Sequence, residues 1–373
     1  MPSPVYVIGA GPGGLAVAAA LRQRGAKAVV LERSEAVGAS WRNHYDRLHL
    51  HTPRRLSGLP GLPIPRRFGR WVSRDGVIAY LEEYVAHHDL EVRPGVDVHR
   101  IDREGEGWVL RTSVGDLSAS TVVVATGYNH TPVEPSWPGL ERFAGEVIHA
   151  SRYRNATPYA GRDVLVVGPG NTGSEIAVDL VEGGARQVWL AVRTAPHIVR
   201  RTTAGWPAQG TGILVRRLPV PVVDRLARAM ALVSVPDLGE YGLPRPQAGL
   251  LTRSREGAIP VQDVGIIAAV QARTVTPVAA VEACEAGGVV LADGTRLSPD
   301  VVIAATGYSR GLEPLVEHLG VLDGRGRPLA HGGSTALGAP GLYFTGYTNP
   351  ISGMFRELRI DARKIARAIT GRR

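Results

Sequence analysis

Two segments of the chain carry the same glycine spacing behind the same kind of apolar run: Val7-Ile8-Gly9-Ala10-Gly11-Pro12-Gly13-Gly14 and Val166-Val167-Gly168-Pro169-Gly170-Asn171-Thr172-Gly173. In each, β-branched residues lead in and an Ala/Val/Leu-rich stretch of helical composition leads out, so the local order is strand, tight turn, helix. In that setting the first Gly makes the turn, the second lets the backbone approach a pyrophosphate, and the third packs helix against strand. Free N–H groups and the helix dipole then point at the anion. One such cluster alone also marks an ordinary turn. A pair of them predicts an α/β chain with two dinucleotide-binding, Rossmann-like domains.

The residue ending the next strand tells the two apart. Glu32 follows the run Ala28 to Leu31, eighteen positions beyond Gly14. A carboxylate there accepts hydrogen bonds from ribose hydroxyls and repels a 2′-phosphate, which suits the ADP half of FAD or NAD. Arg193 follows Val188 to Val192. A guanidinium at that place favours the 2′-phosphate of NADPH, with Thr194 and either Arg200 or Arg201 nearby.

At 373 residues, with 44% hydrophobic and 21% charged side chains, the chain has room for two or more globular units. No apolar run reaches the length that spans a bilayer, and the opening Met1-Pro2-Ser3-Pro4 has no basic leader, so a soluble, cytoplasmic protein is expected. Cys284 is the only cysteine, which excludes an internal disulfide, a CxxC redox pair and a cysteine metal cluster; no metal site is expected. The net charge of +9 comes almost wholly from Arg, Lys occurring only at 27 and 364. Pairs such as Arg54-Arg55, Arg66-Arg67 and Arg216-Arg217 are scattered rather than gathered on one face, so the field suits phosphorylated cofactors and an anionic substrate, not nucleic acid.

A second internal repeat lies in Val122-Val-Val124-Ala125-Thr126-Gly127-Tyr128 and Val301-Val-Ile-Ala304-Ala305-Thr306-Gly307-Tyr308. Taken as one strand leaving the first domain and one returning to it, the repeat predicts a split first domain, residues 1–157 and 276–373, with the second fingerprint inserted as 158–275. A Pro-rich run from Tyr45 to Pro65 is too long for a simple connection and reads as functional or disordered. Helical spacing predicts a helix over Asp75 to His88. Within the insertion, the amphipathic piece from Val222 to Val235 reads first as a helix over the domain's sheet, and otherwise as a lid, a homodimer surface or a lipid contact.

Between the fingerprints stands Phe143-x-Gly145-x-x-x-His149-x-x-x-Tyr153, which resembles the identifying motif of class B flavin-dependent monooxygenases. Further segments look like those of the plant YUCCA branch: Tyr45-Asp-Arg-Leu-His-Leu-His51-Thr-Pro53, Leu218 to Leu226, Tyr241-Gly-Leu-Pro-Arg245-Pro246, Pro260-Val-Gln-Asp263-Val-Gly265, Gly346-Tyr347-Thr348 and Asp361-Ala-Arg-Lys364-Ile-Ala366. The resemblance covers essentially the whole chain. It implies tightly bound FAD in the split domain, NADPH in the inserted one, and O2 as co-substrate. It further implies oxidative decarboxylation of an aryl 2-oxo acid such as indole-3-pyruvate, through a peroxide at flavin C4a. N-, S- or Baeyer-Villiger oxygenation is the sister chemistry.

By the same resemblance, His51 and Asn349 fall beside the reacting centre, and His51 stands where amine and sulfide oxygenases carry Asn. The cofactor contacts implied are Gly9, Gly11, Pro12, Gly13, Gly14, Glu32, Arg33, Trp41, Thr126, Gly127 and Gly346 on one side. On the other are Gly168, Gly170, Asn171, Thr172, Gly173, Arg193, Thr194, Thr306 and Gly307. His149 is expected to orient the nicotinamide nucleotide or the link between domains. The GGxW element appears as Gly38-Ala39-Ser40-Trp41, without its second Gly. A disulfide reductase on the same plan is disfavoured by the single cysteine, and a non-catalytic flavoprotein is the remaining rival.

Overall fold

The structure is a computed structural model describing residues 4–203 and 205–371; Met1–Ser3, Ala204, Arg372 and Arg373 lie outside it. Ten strands make its two parallel sheets: β1 (Val5–Ile8), β2 (Ala28–Leu31), β3 (Glu91–Arg93), β4 (Val122–Val124), β5 (Glu146–His149), β6 (Asp163–Val167), β7 (Gln187–Ala191), β8 (Val275–Val278), β9 (Val301–Ala304) and β10 (Leu342–Phe344). The helices that matter below are α1 (Pro12–Arg22), α2 (Arg74–His88), α3 (Asn171–Glu182), α4 (Val220–Ser234) and α5 (Met354–Thr370).

The first sheet has the order β10-β4-β1-β2-β3 and the second β5-β9-β6-β7-β8. Each therefore puts a fingerprint strand at the centre, the ribose-reader strand on one side and a strand ending in Ala-Thr-Gly on the other. All pairings are parallel and in matching register, Ile8 opposite Leu31 and Val124 in one, Val167 opposite Ala191 and Ala304 in the other. Parallel strands buried on both faces need continuous β-branched runs, which both fingerprints supply. Each sheet is also crossed by a three-stranded antiparallel meander, residues 98–119 in the first and 281–297 in the second. Ile101, Trp108 and Leu110 of the first meander pack with Tyr6, Ile8 and Val29. Cys284, Val289 and Leu291 of the second pack with Leu165 and Val302.

This topology corrects the expected boundaries. The second Ala-Thr-Gly strand, β9, hydrogen-bonds to β6 and β5 and so belongs to the second sheet, not to a return of the first. The compact units are Met1–Asn43, Thr52–Thr131 and Tyr308–Arg373 on one side, and His44–His51 with Pro132–Gly307 on the other. The breaks at 157/158 and 275/276 fail because β5, β8 and β9 belong to the second sheet and the second meander packs on it. The α/β class with two Rossmann-like units stands.

In the first unit, α5 buries Phe355, Leu358, Ala362, Ile365 and Ala366 against α1 at helical spacing. The run from Tyr45 to Pro65 is ordered. Its second half is held by α2, where Tyr80 Oη accepts from Leu59 N (2.9 Å) and donates to the Leu62 carbonyl (2.6 Å), and Tyr84 Oη donates to that of Pro60. The helix expected from residue 75 begins at Arg74, with Ser73 capping Gly76 N. Helix α4 differs from the expected packing. Only Val223 is buried, while Val222, Leu226, Met230, Leu232 and Val233 are exposed, Val233 to 91%.

Candidate functional site

In the first unit, Gly9 turns the chain at φ +103°, and a Cβ there would lie 2.7 Å from the Ala125 carbonyl oxygen. Gly14 packs so closely on the Gly9 carbonyl that no side chain fits between helix and strand. Gly11 alone of the three faces open space, so the first turn of α1 presents bare backbone N–H groups at a cradle that a side chain would fill. The second fingerprint repeats this geometry: Gly168 at φ +111° against the Ala305 carbonyl, Gly173 against the Gly168 carbonyl, and Gly170 open. Each Ala-Thr-Gly is thus the wall against which its own fingerprint turns. That is the physical content of the repeat, and sequence reasoning had paired it with the wrong sheet.

Glu32 is buried at 7% exposure and built into the fold. Its Oε2 accepts from Ala10 N at 2.8 Å and its Oε1 from Ser34 N at 2.9 Å. The carboxylate stands beside the Gly9–Gly11 turn, with lone pairs left over to accept further donors. Arg33 is exposed. Nearby, His130 has a pKa lowered by burial and by the Arg33 charge. Thr126 bonds Tyr347 through both Oγ1 (2.7 Å) and N (3.1 Å), fixing the Ala-Thr-Gly wall to the Gly346-Tyr347 turn. Tyr128 donates to Asn349 Oδ1, which ties the segment after β10 to the one after β4. Trp41 stands edge-on to Phe355 at 6.1 Å. Ala39 opens a short helix, Ala39–Arg42, so the missing second Gly of that element costs nothing.

Arg193 and Thr194 are exposed at the end of β7, the topological counterpart of Glu32. The adjacent arginines diverge. Arg200 Nε reaches the Ser234 carbonyl (2.5 Å), whereas Arg201 is half-buried, its pKa lowered by desolvation and partly restored by the Glu175 carboxylate. The side chain of Asn171 is a clasp: Oδ1 accepts from Gln262 N (2.8 Å) and Nδ2 donates to the Pro260 carbonyl (3.2 Å). Thr172 lies near the Tyr45 hydroxyl and opposes the rise of its pKa. Asn171 therefore commits its side chain to the protein and has its backbone N–H to offer a nucleotide. Thr306 Oγ1 donates to the Val133 carbonyl (2.5 Å), again leaving Gly307 as the open position of its turn.

The motif from Phe143 to Tyr153 scaffolds the second unit. The Phe143 ring lies over Gly145, where a Cβ would collide with it. His149 is 1% exposed, Nδ1 accepting from Ser151 N (3.1 Å) and Nε2 donating to the Gly307 carbonyl (3.1 Å). Burial lowers its pKa, so it is neutral and fixed in that tautomer. Tyr153 donates to Asp179 of α3 at 2.6 Å. The imidazole is a clasp at the end of β9, with both nitrogens committed within the unit.

Sequence reasoning missed Glu175. It lies one helical turn into α3, 3% exposed, and gathers residues from far away in the chain. His51 Nε2 bonds its Oε1 at 2.6 Å and Tyr45 donates to its Oε2 at 3.0 Å. One turn on, Asp179 receives Tyr153 and Arg47 (3.4 Å), and Arg47 also reaches Glu182 at 2.8 Å. The i, i+4 spacing of Glu175 and Asp179 made an acidic ridge on α3 legible, but its burial was not.

The comparisons with known proteins show the family. The family model described as pyridine nucleotide-disulphide oxidoreductase matches residues 6–203. Indole-3-pyruvate monooxygenase YUCCA1 of Oryza sativa subsp. japonica is 37% identical, covering 92% of this chain and 86% of that protein. The probable indole-3-pyruvate monooxygenase YUCCA4 of Arabidopsis thaliana is 33% identical, covering 99% and 90%. The chain belongs to the YUCCA-like flavin-dependent monooxygenases. Among solved structures, a doubly substituted flavin monooxygenase from Stenotrophomonas maltophilia superposes with a TM-score of 0.75 at 26% identity, over 98% of this chain and 99% of that one.

This monooxygenase is an oxidoreductase of the FAD- and NADPH-dependent kind that uses O2. The residues present fit two dinucleotides, since both fingerprints combine a closed turn with one open glycine. Disulfide chemistry, despite the description of the matching family model, has no second thiol in the chain. Cys284 is buried in the second meander with its thiol pKa raised by desolvation. Among the described residues no helix is long and apolar enough to cross a membrane.

Proposed function

We propose that this monooxygenase oxidatively decarboxylates an aryl 2-oxo acid, of which indole-3-pyruvate is the type, to the aryl acetate. The overall change is R–CH2–CO–COO⁻ + O2 + NADPH + H⁺ giving R–CH2–COO⁻ + CO2 + NADP⁺ + H2O. The observation that carries the reading is likeness over 92% and 99% of the chain to two proteins named as acting on that acid.

The first unit is the FAD unit. Backbone N–H groups at Gly11 to Gly13 and the dipole of α1 hold the pyrophosphate, and Glu32 takes the ribose hydroxyls. The second is the NADPH unit, with Gly170 to Thr172 giving backbone donors and Arg193 and Thr194 the 2′-phosphate contacts. When bound, the flavin supplies the hydride acceptor and the oxygen activation. The protein then binds, orients and keeps water out. His51 addresses the reacting acid, and Asn349 is held by Tyr128 within the FAD unit.

The test supplies indole-3-pyruvate or phenylpyruvate labelled at C1, with NADPH and ¹⁸O2. Labelled CO2 should appear in step with NADPH oxidation, and one ¹⁸O should enter the aryl acetate. Oxidation of NADPH to hydrogen peroxide with either acid, alongside turnover of an amine, sulfide or ketone, would refute the assignment.

A further inference from the structure

The segment His44–His51 lies in the chain between Asn43 and Thr52 of the first unit, yet belongs to the second. What holds it is α3. Besides the bonds to Glu175 and Asp179, Asp46 N donates to the Arg154 carbonyl (2.8 Å) and Asn155 to Asp46 Oδ2 (2.8 Å). His51 ends this segment with its side chain 27% exposed, while the carboxylate that grips it is 4% exposed. A buried carboxylate receiving two side-chain donors, Tyr45 and His51, is used as an acceptor at both oxygens. Nε2 of His51 must therefore carry the proton. No group among the described residues bonds Nδ1.

We propose that Glu175 is the positioning residue for His51: it locks the imidazole in the Nε2–H tautomer and leaves Nδ1 as the working nitrogen toward substrate. The half-buried Arg201 adds a cation to the same cluster. Tyr45, Glu175 and His51 form one hydrogen-bonded chain along α3. The tautomer part of this inference stands by itself, whereas its consequence for turnover rests on the function proposed above.

Glu175→Gln tests both. Tyr45 continues to donate, so the amide oxygen stays on the Tyr45 side and the amide NH2 faces His51. Nε2 must then accept, and the neutral ring switches to Nδ1–H. In the FAD-loaded protein with ¹⁵N-labelled histidine, His51 being assigned by its loss in His51→Asn, the wild type should show a protonated Nε2 and Glu175→Gln a protonated Nδ1. Adding Tyr45→Phe to Glu175→Gln frees the amide to turn and should restore Nε2–H. The fraction of NADPH oxidised that ends as aryl acetate rather than hydrogen peroxide should fall roughly tenfold or more in Glu175→Gln, the scale of a misdirected proton-transfer group.

Glu182→Gln, on the exposed end of the same helix, should change neither readout. If Glu175→Gln fails to load FAD, Tyr45→Phe alone carries the test. It removes one anchor but keeps the charge, so the tautomer holds while coupling falls by a smaller factor. An unchanged tautomer in Glu175→Gln, or unchanged coupling in a folded Tyr45→Phe, overturns the proposal. If the wild type converts no aryl 2-oxo acid, the function above fails, and the tautomer comparison still decides the role of Glu175.

Discussion

The two units are one design executed twice, down to a glycine turning against its own Ala-Thr-Gly wall, yet the residues proposed to read the ribose are held in opposite ways. Glu32 is buried, and both its oxygens already hold backbone N–H groups of Ala10 and Ser34. Arg193, at the equivalent strand end, is exposed and makes no ion pair among the described residues. One reader is part of the fold and the other is an accessory on it. A unit that keeps its cofactor throughout turnover can afford to make the cofactor's ligand structural. A unit that exchanges its nucleotide every cycle gains from a reader that stays solvated and free to re-pair.

The frame itself is the largest lever. In both units the third glycine leaves no room for a methyl against the carbonyl of the first. Gly14→Ala should yield protein without flavin, seen as loss of yellow colour on purification. Gly173→Ala should stay yellow and bind NADPH poorly, its anaerobic bleaching slowed by roughly 100-fold, equivalent to about 3 kcal/mol of overpacking. Loss of flavin from both would show that the units are not separable in cofactor function, and the assignment of one nucleotide to each would fall.

The readers come next. Glu32→Ala strands two backbone donors, each costing about 1–3 kcal/mol when buried without an acceptor, and so should lower both FAD retention and the thermal midpoint. Arg193→Ala should leave the midpoint unchanged. It should raise KM for NADPH roughly 10- to 150-fold through loss of a charge-assisted contact of about 1.5–3 kcal/mol, with KM for NADH nearly unaffected. A fall in stability for Arg193→Ala, or equal effects on the two nucleotides, would erase the contrast.

Much of this was legible in the sequence because it is local. The glycine spacing, the strand-ending Glu32 and Arg193, and the helix from residue 74 each depend on a few consecutive side chains. What escaped depends on partners far along the chain. The Ala-Thr-Gly repeat was visible, but only pairing of β9 with β6 and β5 assigns its second copy to the second sheet. Asn171 had the position of a cofactor ligand, and residues some 90 positions away, at Pro260–Gln262, claimed its side chain. Asn171→Ala should accordingly cost about 1–2 kcal/mol of stability, measured by denaturant unfolding of the apoprotein, with KM for NADPH changing less than in Arg193→Ala. The opposite ranking would return Asn171 to the nucleotide. Exposure of α4 was invisible for a similar reason: amphipathicity fixes that a helix has an apolar face, not that the sheet beneath has room for it.

The smallest difference lies in the two threonines of the walls. Thr126 meets the hydroxyl of Tyr347, a side chain only 3% exposed, whose pKa burial raises. Thr306 meets the Val133 carbonyl at the surface. Replacing Thr126 by Val removes one bond to a hydroxyl that water cannot reach, although Thr126 N still donates to it, so a loss of about 1 kcal/mol is expected. Thr306→Val exposes a carbonyl that solvent can satisfy, and about 0.5 kcal/mol is the most it should cost. The two thermal midpoints, taken with and without FAD, check this order. If Thr306→Val proved the more damaging, the second wall would be as structural as the first, and the contrast between a built-in reader and an added one would hold for Glu32 and Arg193 alone.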